Sequence, residues 1–178
     1  SSGLALDRRT SRRPGNDLVA IGGSGFGVMA LIVATERGWV SRAAALERLE
    51  RMLATLTAAR RYHGAFPHFM DGRTGETIPF SAQDDAADLV ETSLLMQGLL
   101  CAREYFSRDT AEEASVRTRI TGLWHAVEWS WFTRGGRPVL YWHWSPTHGW
   151  AMNHEIRGWN ECLITYVLAA ASPSHAIA

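Results

Sequence analysis

Most of the chain repeats apolar residues every three or four positions, the spacing that places them on one face of an α-helix. The clearest stripe consists of leucines in the second such segment, with Ser41 placed to cap its start. Gly38 stands where the preceding helix should end. On this basis we predict five helices, over residues 17–37, 42–60, 84–106, 110–132 and 159–171.

One segment has the alternating pattern of a strand instead. Residues 138–144 alternate apolar and polar side chains, a Pro- and Gly-containing turn follows at 145–149, and residues 150–153 return. We therefore predict a short β-hairpin over 138–153. Short turns within helix pairs and long aromatic loops between them indicate an all-α fold of antiparallel helix hairpins. This is a partial toroid with a cleft at one end, because five helices cannot close the ring.

The first predicted helix opens with an unusual run of glycines, IGGSGFG at residues 21–27. We predict no strand before it and find no suitably placed acid after it, which argues against a dinucleotide-binding loop. Glycine lowers helix propensity by roughly 1 kcal/mol per residue. The run therefore predicts a site where another element approaches the helix closely.

Composition narrows the possible functions. The 178 residues suffice for one domain, and zero net charge gives no basis for binding nucleic acid or an anionic membrane. We predict a separate polar segment over residues 1–16, which carries four arginines, and a domain over 17–178. No segment is long and apolar enough to span a bilayer. Cys101 and Cys162 both lie in apolar helical runs, which predicts buried free thiols.

Three carboxylates stand together at the start of the third predicted helix. Asp84, Asp88 and Glu91 would share an arc of about 60° and span about 10.5 Å if residues 84–106 form one helix. Acids often occupy a first helical turn, where they meet free N–H groups and the positive end of the dipole. That account suits Asp84 and Asp85 better than Glu91, so a functional file of carboxylates is the alternative.

A second acid, Glu161, stands just inside the fifth predicted helix, which is otherwise apolar. It is either a capping-box partner or a general acid, which must hold a proton and is favoured by a water-poor setting beside Trp159 and Trp150. Eight tryptophans are many for a chain of this length. Indole rings stack on the apolar faces of sugars, whereas carboxylates, Asn and Arg bind the hydroxyls. Acids preceded by aromatic loops thus suit a saccharide site.

Other chemistries have weaker support. His63 and His68 stand five residues apart in a loop, and the remaining histidines lack the helical spacing of a metal motif. We therefore expect no metal and no cofactor. The sequence around Ser24 is not a nucleophile elbow, so a serine triad is not indicated.

Four segments resemble the glycoamylase-like family of bacterial α/α-toroid glycoside hydrolases, whose members include endo-β-1,2-glucanases. They read GGSGFGVMALIVATERGWVSR, HGAFPHFMDGRTGE, DDAADLVETSLLMQGLLCAREYF and YWHWSPTHGWAMNHEIRGWNECLITYVLAAASPSH. The resemblance implies the N-terminal half of an (α/α)6 barrel that hydrolyses β-glucan, with β-1,2 linkages favoured. It also implies an inverting mechanism, in which a second carboxylate activates water. That base would lie outside this chain.

The resemblance also implies roles for individual residues. Asp84, Asp88 and Glu91 would hold the sugar near the scissile bond, and Glu161 would be the general acid. We expect the remaining sugar contacts from Phe66, Trp142, His143, Trp144, Trp150, Asn153, His154, Arg157, Trp159 and Asn160. The partners expected are an oligo- or polysaccharide and the other half of the barrel, from the same chain or another. A periplasmic or extracellular location follows by resemblance. A hydrolase for another polysaccharide and a non-catalytic carbohydrate-binding remnant are the alternatives.

Overall fold

Helices form where apolar residues recur with helical spacing. The computed structural model describes residues 2–8 and 17–178. Its α-helices are α1 (Ile21–Glu36), α2 (Arg42–Ala58), α3 (Leu89–Tyr105), α4 (Ala111–His125) and α5 (Leu163–Ala171). Ser41, Asp88 and Thr110 cap α2, α3 and α4, each accepting a hydrogen bond from a backbone N–H three residues further on. The predicted all-α class and the number of helices in the described chain are confirmed.

Four of the predicted helix boundaries are wrong by several residues. α1 begins at Ile21 rather than at residue 17, and α3 begins at Leu89 rather than at residue 84. α4 ends at His125, and a 3-10 helix (Trp129–Thr133) replaces its predicted last turns. α5 begins at Leu163 rather than at residue 159. In the first two cases the backbone before the helix pairs with a strand instead, so its N–H and C=O groups are satisfied outside the helix.

Two small antiparallel sheets lie before these helix starts. The first contains β1 (Leu18–Ala20), β2 (Phe69–Asp71) and β3 (Thr77–Ile78), in that order. The second pairs β4 (Ala87–Asp88) with β5 (His143–Trp144). The chain reverses direction within residues 138–153 as predicted, but the two arms of this hairpin form few hydrogen-bonded pairs with each other. Residues 141 and 155 and residues 145 and 149 form isolated bridges, and the two-residue strand β5 has β4 as its partner.

Alternate helices are neighbours in space. α3 packs between α1 and α5, and α2 packs against α4 behind them. A buried ion pair joins the rear layer: the Arg42 guanidinium donates from Nε to Glu113 Oε1 at 2.7 Å and from Nη2 to Oε2 at 2.8 Å. Hydrogen bonding from Arg42 holds the pKa of the Glu113 carboxyl below its ordinary value. The predicted winding of helix pairs is thus present in two layers.

The glycine run brings α1 against α3, as predicted. A Cβ atom on Gly25 would lie 2.1 Å from the carbonyl oxygen of Leu94, and one on Gly98 would lie 2.2 Å from the carbonyl oxygen of Gly25. No side chain fits between the two backbones at this point. β1 does precede the glycine run, contrary to the sequence prediction. It pairs antiparallel with β2 and is not part of a βαβ unit.

The N-terminal segment contacts the domain where it is described. Leu6 bridges to Val19, and Leu4 is buried in the core. Residue 1 and residues 9–16, with three of the four arginines, lie outside the described residues, so the division at residue 17 stays a prediction. Both cysteines are free, but Cys101 is exposed rather than buried. Among the described helices, none combines the length and apolarity needed to cross a bilayer.

Candidate active site

The N-terminal ends of α1 and α3 meet beneath two loops. The Ile21 N–H donates to the carbonyl oxygen of His68 at 3.2 Å, and the Leu89 N–H donates to that of Trp142 at 2.9 Å. The loop between α2 and α3 and the loop between α4 and α5 are therefore fastened to the helix starts. Every residue predicted for the site lies in these loops or within the first turn of α3.

Asp88 is the centre of this region and is completely buried. Its Oδ1 accepts hydrogen bonds from the Glu91 N–H at 2.9 Å and from Trp142 Nε1 at 2.8 Å. Its Oδ2 lies 3.0 Å from His68 Nδ1. The protein itself thus supplies three hydrogen-bonding partners to this carboxylate. Asp88 lies where the sequence predicted an acid, but as the cap of α3 and not as a group that faces a ligand.

Asp84 lies close to Asp88, although the predicted helical file is wrong. Asp84 is in a turn before β4, and its buried Oδ2 lies 3.2 Å from His143 Nε2. The same His143 nitrogen lies 3.8 Å from Asp88 Oδ2. His143 stands opposite Asp88 in the β4–β5 pair, so strand pairing, not helical periodicity, brings the two carboxylates to one imidazole.

Glu91 is half-buried at the first turn of α3, and its Oε2 accepts a hydrogen bond from the Gly22 N–H at 2.7 Å. Burial raises the pKa of the Glu91 carboxyl and the charge of Asp88 adds to the rise, while the Gly22 N–H opposes it. Burial is the largest single influence on the pKa of His68 and works against its protonation. The hydrogen bond to Asp88 and the charges of the neighbouring carboxylates together outweigh it, so the pKa of His68 is raised. The site therefore retains protons on groups that would lose them in water at the same pH.

One group of these residues has the donor types of a metal site. Ligand atoms of His68, Asp84 and Asp88 lie within 4.8 Å of one another. Such a set of imidazole and carboxylate donors suits a divalent cation. However, three donors of the protein already bond to Asp88, which favours a hydrogen-bonded network at this place. The absence of a metal stays a prediction.

The aromatic side chains divide between the core and the surface. Phe66 is completely buried, so its predicted contact with a sugar is wrong in the described chain. The ring of Trp142 lies nearly parallel to those of His143 and His154, with centroids at 5.7 and 4.9 Å. Trp144 and Trp150 are half-buried and keep part of their surface accessible. Of these four rings, the structure leaves the three tryptophans with accessible surface.

The segment around Glu161 differs most from the prediction. Glu161 is exposed in a turn before α5 and not inside the helix, and Trp159 is 90% exposed. Trp159 therefore does not shield Glu161 from water in the described chain. Asn153, His154, Arg157 and Asn160 are also exposed, and Arg157 pairs with Glu155 at 2.6 Å. The role of this segment as catalytic and sugar-binding stays a prediction.

Four further residues lie in or next to the loops that carry the predicted site residues but were not among the predicted sugar contacts. They are His63, His68, Glu128 and Trp131. His68 could have been suspected from its place in the aromatic loop 62–69. Glu128 and Trp131 could not, because the predicted helix over 110–132 put them on a regular helical surface. The 3-10 helix turns them towards the loop that carries His63 instead.

The fold and the site together define a class: part of an α/α toroid with carboxylates and aromatic rings gathered at one end of the helices. No protein-family model matches the chain. It is 45% identical, over 99% of its own length, to an exo β-1,2-glucooligosaccharide sophorohydrolase from Parabacteroides distasonis. The chain spans 24% of the length of that relative.

Solved structures of similar proteins show the same relationship to β-1,2-glucan hydrolases. An endo-β-1,2-glucanase from Chitinophaga pinensis, determined with sophorotriose and glucose, is 50% identical with a TM-score of 0.95, and the chain covers 43% of it. A β-1,2-glucanase from Parabacteroides distasonis is 46% identical with a TM-score of 0.90, and the chain covers 24% of it. The chain is therefore a homologue of part of these β-1,2-glucan hydrolases, and the predicted resemblance is confirmed.

Proposed function

We propose that the protein carrying this chain hydrolyses β-1,2-linked glucan by acid–base catalysis. The observation that carries the proposal is the 45–50% identity, over nearly the whole chain, to hydrolases of that substrate. The site is consistent with it, because it combines accessible aromatic rings with carboxylates that differ in burial: Asp88 is completely buried, Glu91 is half-buried and Glu161 is exposed.

We assign the carboxylates different tasks. Asp88 is a positioning residue, since its oxygens accept hydrogen bonds from the protein and its side chain is inaccessible. Glu91, with a raised pKa and partial exposure, binds a sugar hydroxyl close to Asp84. Glu161, exposed on the rim, is the general acid. The general base is contributed from outside this chain, at the distance from the acid that an inverting mechanism needs for its water.

Uncovered apolar faces support completion of the barrel by further helices. On α1, Phe26 is 61% and Val33 is 50% exposed, and Met29 lies between them on the same face. On α5, Val167 is 54% exposed. α1 and α5 are the two outer members of the layer centred on α3, so both lack a neighbour on one side. Helices from the rest of the same chain, or from a partner chain, would bury these faces.

The location follows from the substrate. A long glucan does not cross a membrane intact, so we place the protein in the periplasm or outside the cell. Detection of the protein in the periplasmic or culture fraction would support this, whereas recovery in the cytoplasmic fraction alone would contradict it.

The test is hydrolysis by the full-length protein. We expect it to release oligosaccharides from linear β-1,2-glucan and to leave β-1,3- and β-1,4-glucans intact. The product anomer, followed by NMR during the reaction, should be the inverted one. Glu161→Gln should lower turnover by a factor of about 10² or more while binding is retained. Glu104→Gln, an exposed carboxylate near the other end of α3, is the matched control.

Two outcomes would reject the proposed hydrolysis of β-1,2-glucan. Activity on another glucan alone would identify a related hydrolase with a different substrate. Binding of β-1,2-glucan without any turnover would identify a carbohydrate-binding protein. Near-normal turnover of Glu161→Gln would leave Glu161 without a catalytic role even if the substrate is correct.

A further inference from the structure

Three aromatic rings meet at a right-angled corner beside the loop that carries His63. The ring of His63 stacks in parallel on Trp131, with centroids 3.8 Å apart and planes 13° apart. Trp144 stands perpendicular to both rings, at 4.6 Å from His63 and 5.8 Å from Trp131. We call His63, Trp131 and Trp144 the aromatic corner.

The chain holds His63 in this position at a conformational cost. His63 has φ +51°, in the left-handed region that few residues other than Gly adopt, although His is among those found there more often. Its Nδ1 lies 2.8 Å from Glu128 Oε2, and its carbonyl oxygen accepts a hydrogen bond from the Glu128 N–H at 3.0 Å. The next residue, Gly64, fits so closely that a Cβ atom would lie 1.9 Å from the carbonyl oxygen of Ala126. Strain that is held this firmly is typical of functional sites.

The corner is accessible. Trp131 is 39% exposed, whereas Trp129 and Phe132 of the same 3-10 helix are buried in the core. The neighbouring residues anchor the helix, so burial of Trp131 is not needed to hold it. Glu128, half-buried and hydrogen-bonded to His63, places a carboxylate beside the rings. A flat apolar surface with an acceptor at its edge matches a pyranose ring, which has apolar C–H faces and hydroxyl donors around its rim.

We propose that the aromatic corner binds one glucosyl residue of the substrate, at a subsite separate from the Asp84–Asp88 cluster. The inference rests on the proposed function. The two places share strand β5, because His143 contacts the carboxylates and the next residue, Trp144, belongs to the corner. Successive strand residues point to opposite faces, so a glucan bound at the cluster must extend around β5 to reach the corner. The subsite therefore serves oligosaccharides long enough to occupy both places.

The experiment compares oligosaccharides of increasing length. Linear β-1,2-linked glucooligosaccharides from the disaccharide upward are titrated calorimetrically into full-length protein that carries Glu161→Gln. Trp131→Ala in this background should weaken binding of the longer oligosaccharides by about tenfold, as expected for loss of one aromatic stacking partner. Binding of the shortest oligosaccharide that still binds should be unchanged. Trp131→Phe, which keeps a ring, should lie between the two.

Trp39→Ala is the matched control, since Trp39 is 75% exposed beyond the C-terminal end of α1, away from the site. Equal affinity of Trp131→Ala, Trp131→Phe and the parent for every length would overturn the subsite while leaving the proposed function intact. Absence of binding by the parent to any β-1,2-linked oligosaccharide would overturn both. An equal loss at all lengths, in a variant with unchanged thermal unfolding, would place Trp131 at the cleavage site and also overturn a separate subsite.

Discussion

Replacing Gly25 by alanine should separate two helices and disturb the site at their ends. The new Cβ atom would lie 2.1 Å from the carbonyl oxygen of Leu94, whereas carbon and oxygen atoms in close helix contacts lie about 3.3 Å apart. The backbones of α1 and α3 would have to move apart by about 1.2 Å locally, because neither contacting atom belongs to a side chain that can rotate away.

The magnitude follows from two opposing effects. Overpacking of a core costs about 1–3 kcal/mol and sometimes more, and a backbone clash belongs at the upper end. Alanine regains about 1 kcal/mol of helix propensity relative to glycine. We therefore expect Gly25→Ala to lower the free energy of unfolding by about 2 kcal/mol, measured from the urea midpoint of the full-length protein.

A control within the same chain isolates the contact. Gly122 lies in α4 with open space around its Cβ position, so Gly122→Ala should raise stability by about 0.5–1 kcal/mol. The hydrogen bond of 2.7 Å from the Gly22 N–H lowers the pKa of the Glu91 carboxyl. Separation of the helices should lengthen and weaken this bond. The pKa of Glu91, followed by carboxyl-carbon NMR, should therefore rise further. A Gly25→Ala protein as stable as the parent would refute the reasoning from close backbone contact.

Three further predictions concern the buried network. Asp88→Asn should lower the free energy of unfolding by about 2–3 kcal/mol, because the new amide N–H would face one of the three groups that hydrogen-bond to Asp88. As a control, the exposed Asp109→Asn should leave the urea midpoint unchanged. Because the pKa values of Glu91 and His68 are raised in the folded chain, stability should fall as pH rises above about 4.5 and again above about 6.5. Glu91→Gln should remove the first decline in unfolding temperature and His68→Asn the second; unchanged profiles would contradict the shifts. Chelator dialysis should leave the unfolding temperature unchanged, whereas a clear drop would show a bound cation, for which His68, Asp84 and Asp88 are the candidate ligands.

Part of the fold could be predicted from the sequence because local patterns determine it. Leucines at helical spacing predicted α2, and Ser41 caps it as expected. The glycine run predicted a close approach, since glycine weakens a helix unless a neighbouring backbone needs the space. The acids around the start of α3 do lie near one another, although their role in one site stays a prediction. In each case the information lies within a few residues along the chain.

Only the tertiary structure decided how these residues are used. Asp84 and Asp88 meet because β4 pairs with β5, more than fifty residues further along the chain, and no local pattern encodes that pairing. The same pairing replaces the first turn of the predicted third helix, since strand hydrogen bonds satisfy the backbone that helical bonds would otherwise satisfy. Burial, which makes Asp88 a positioning residue and raises the pKa of Glu91, likewise depends on distant chain segments. A sequence records which carboxylates are present, but long-range packing sets which of them can meet a sugar.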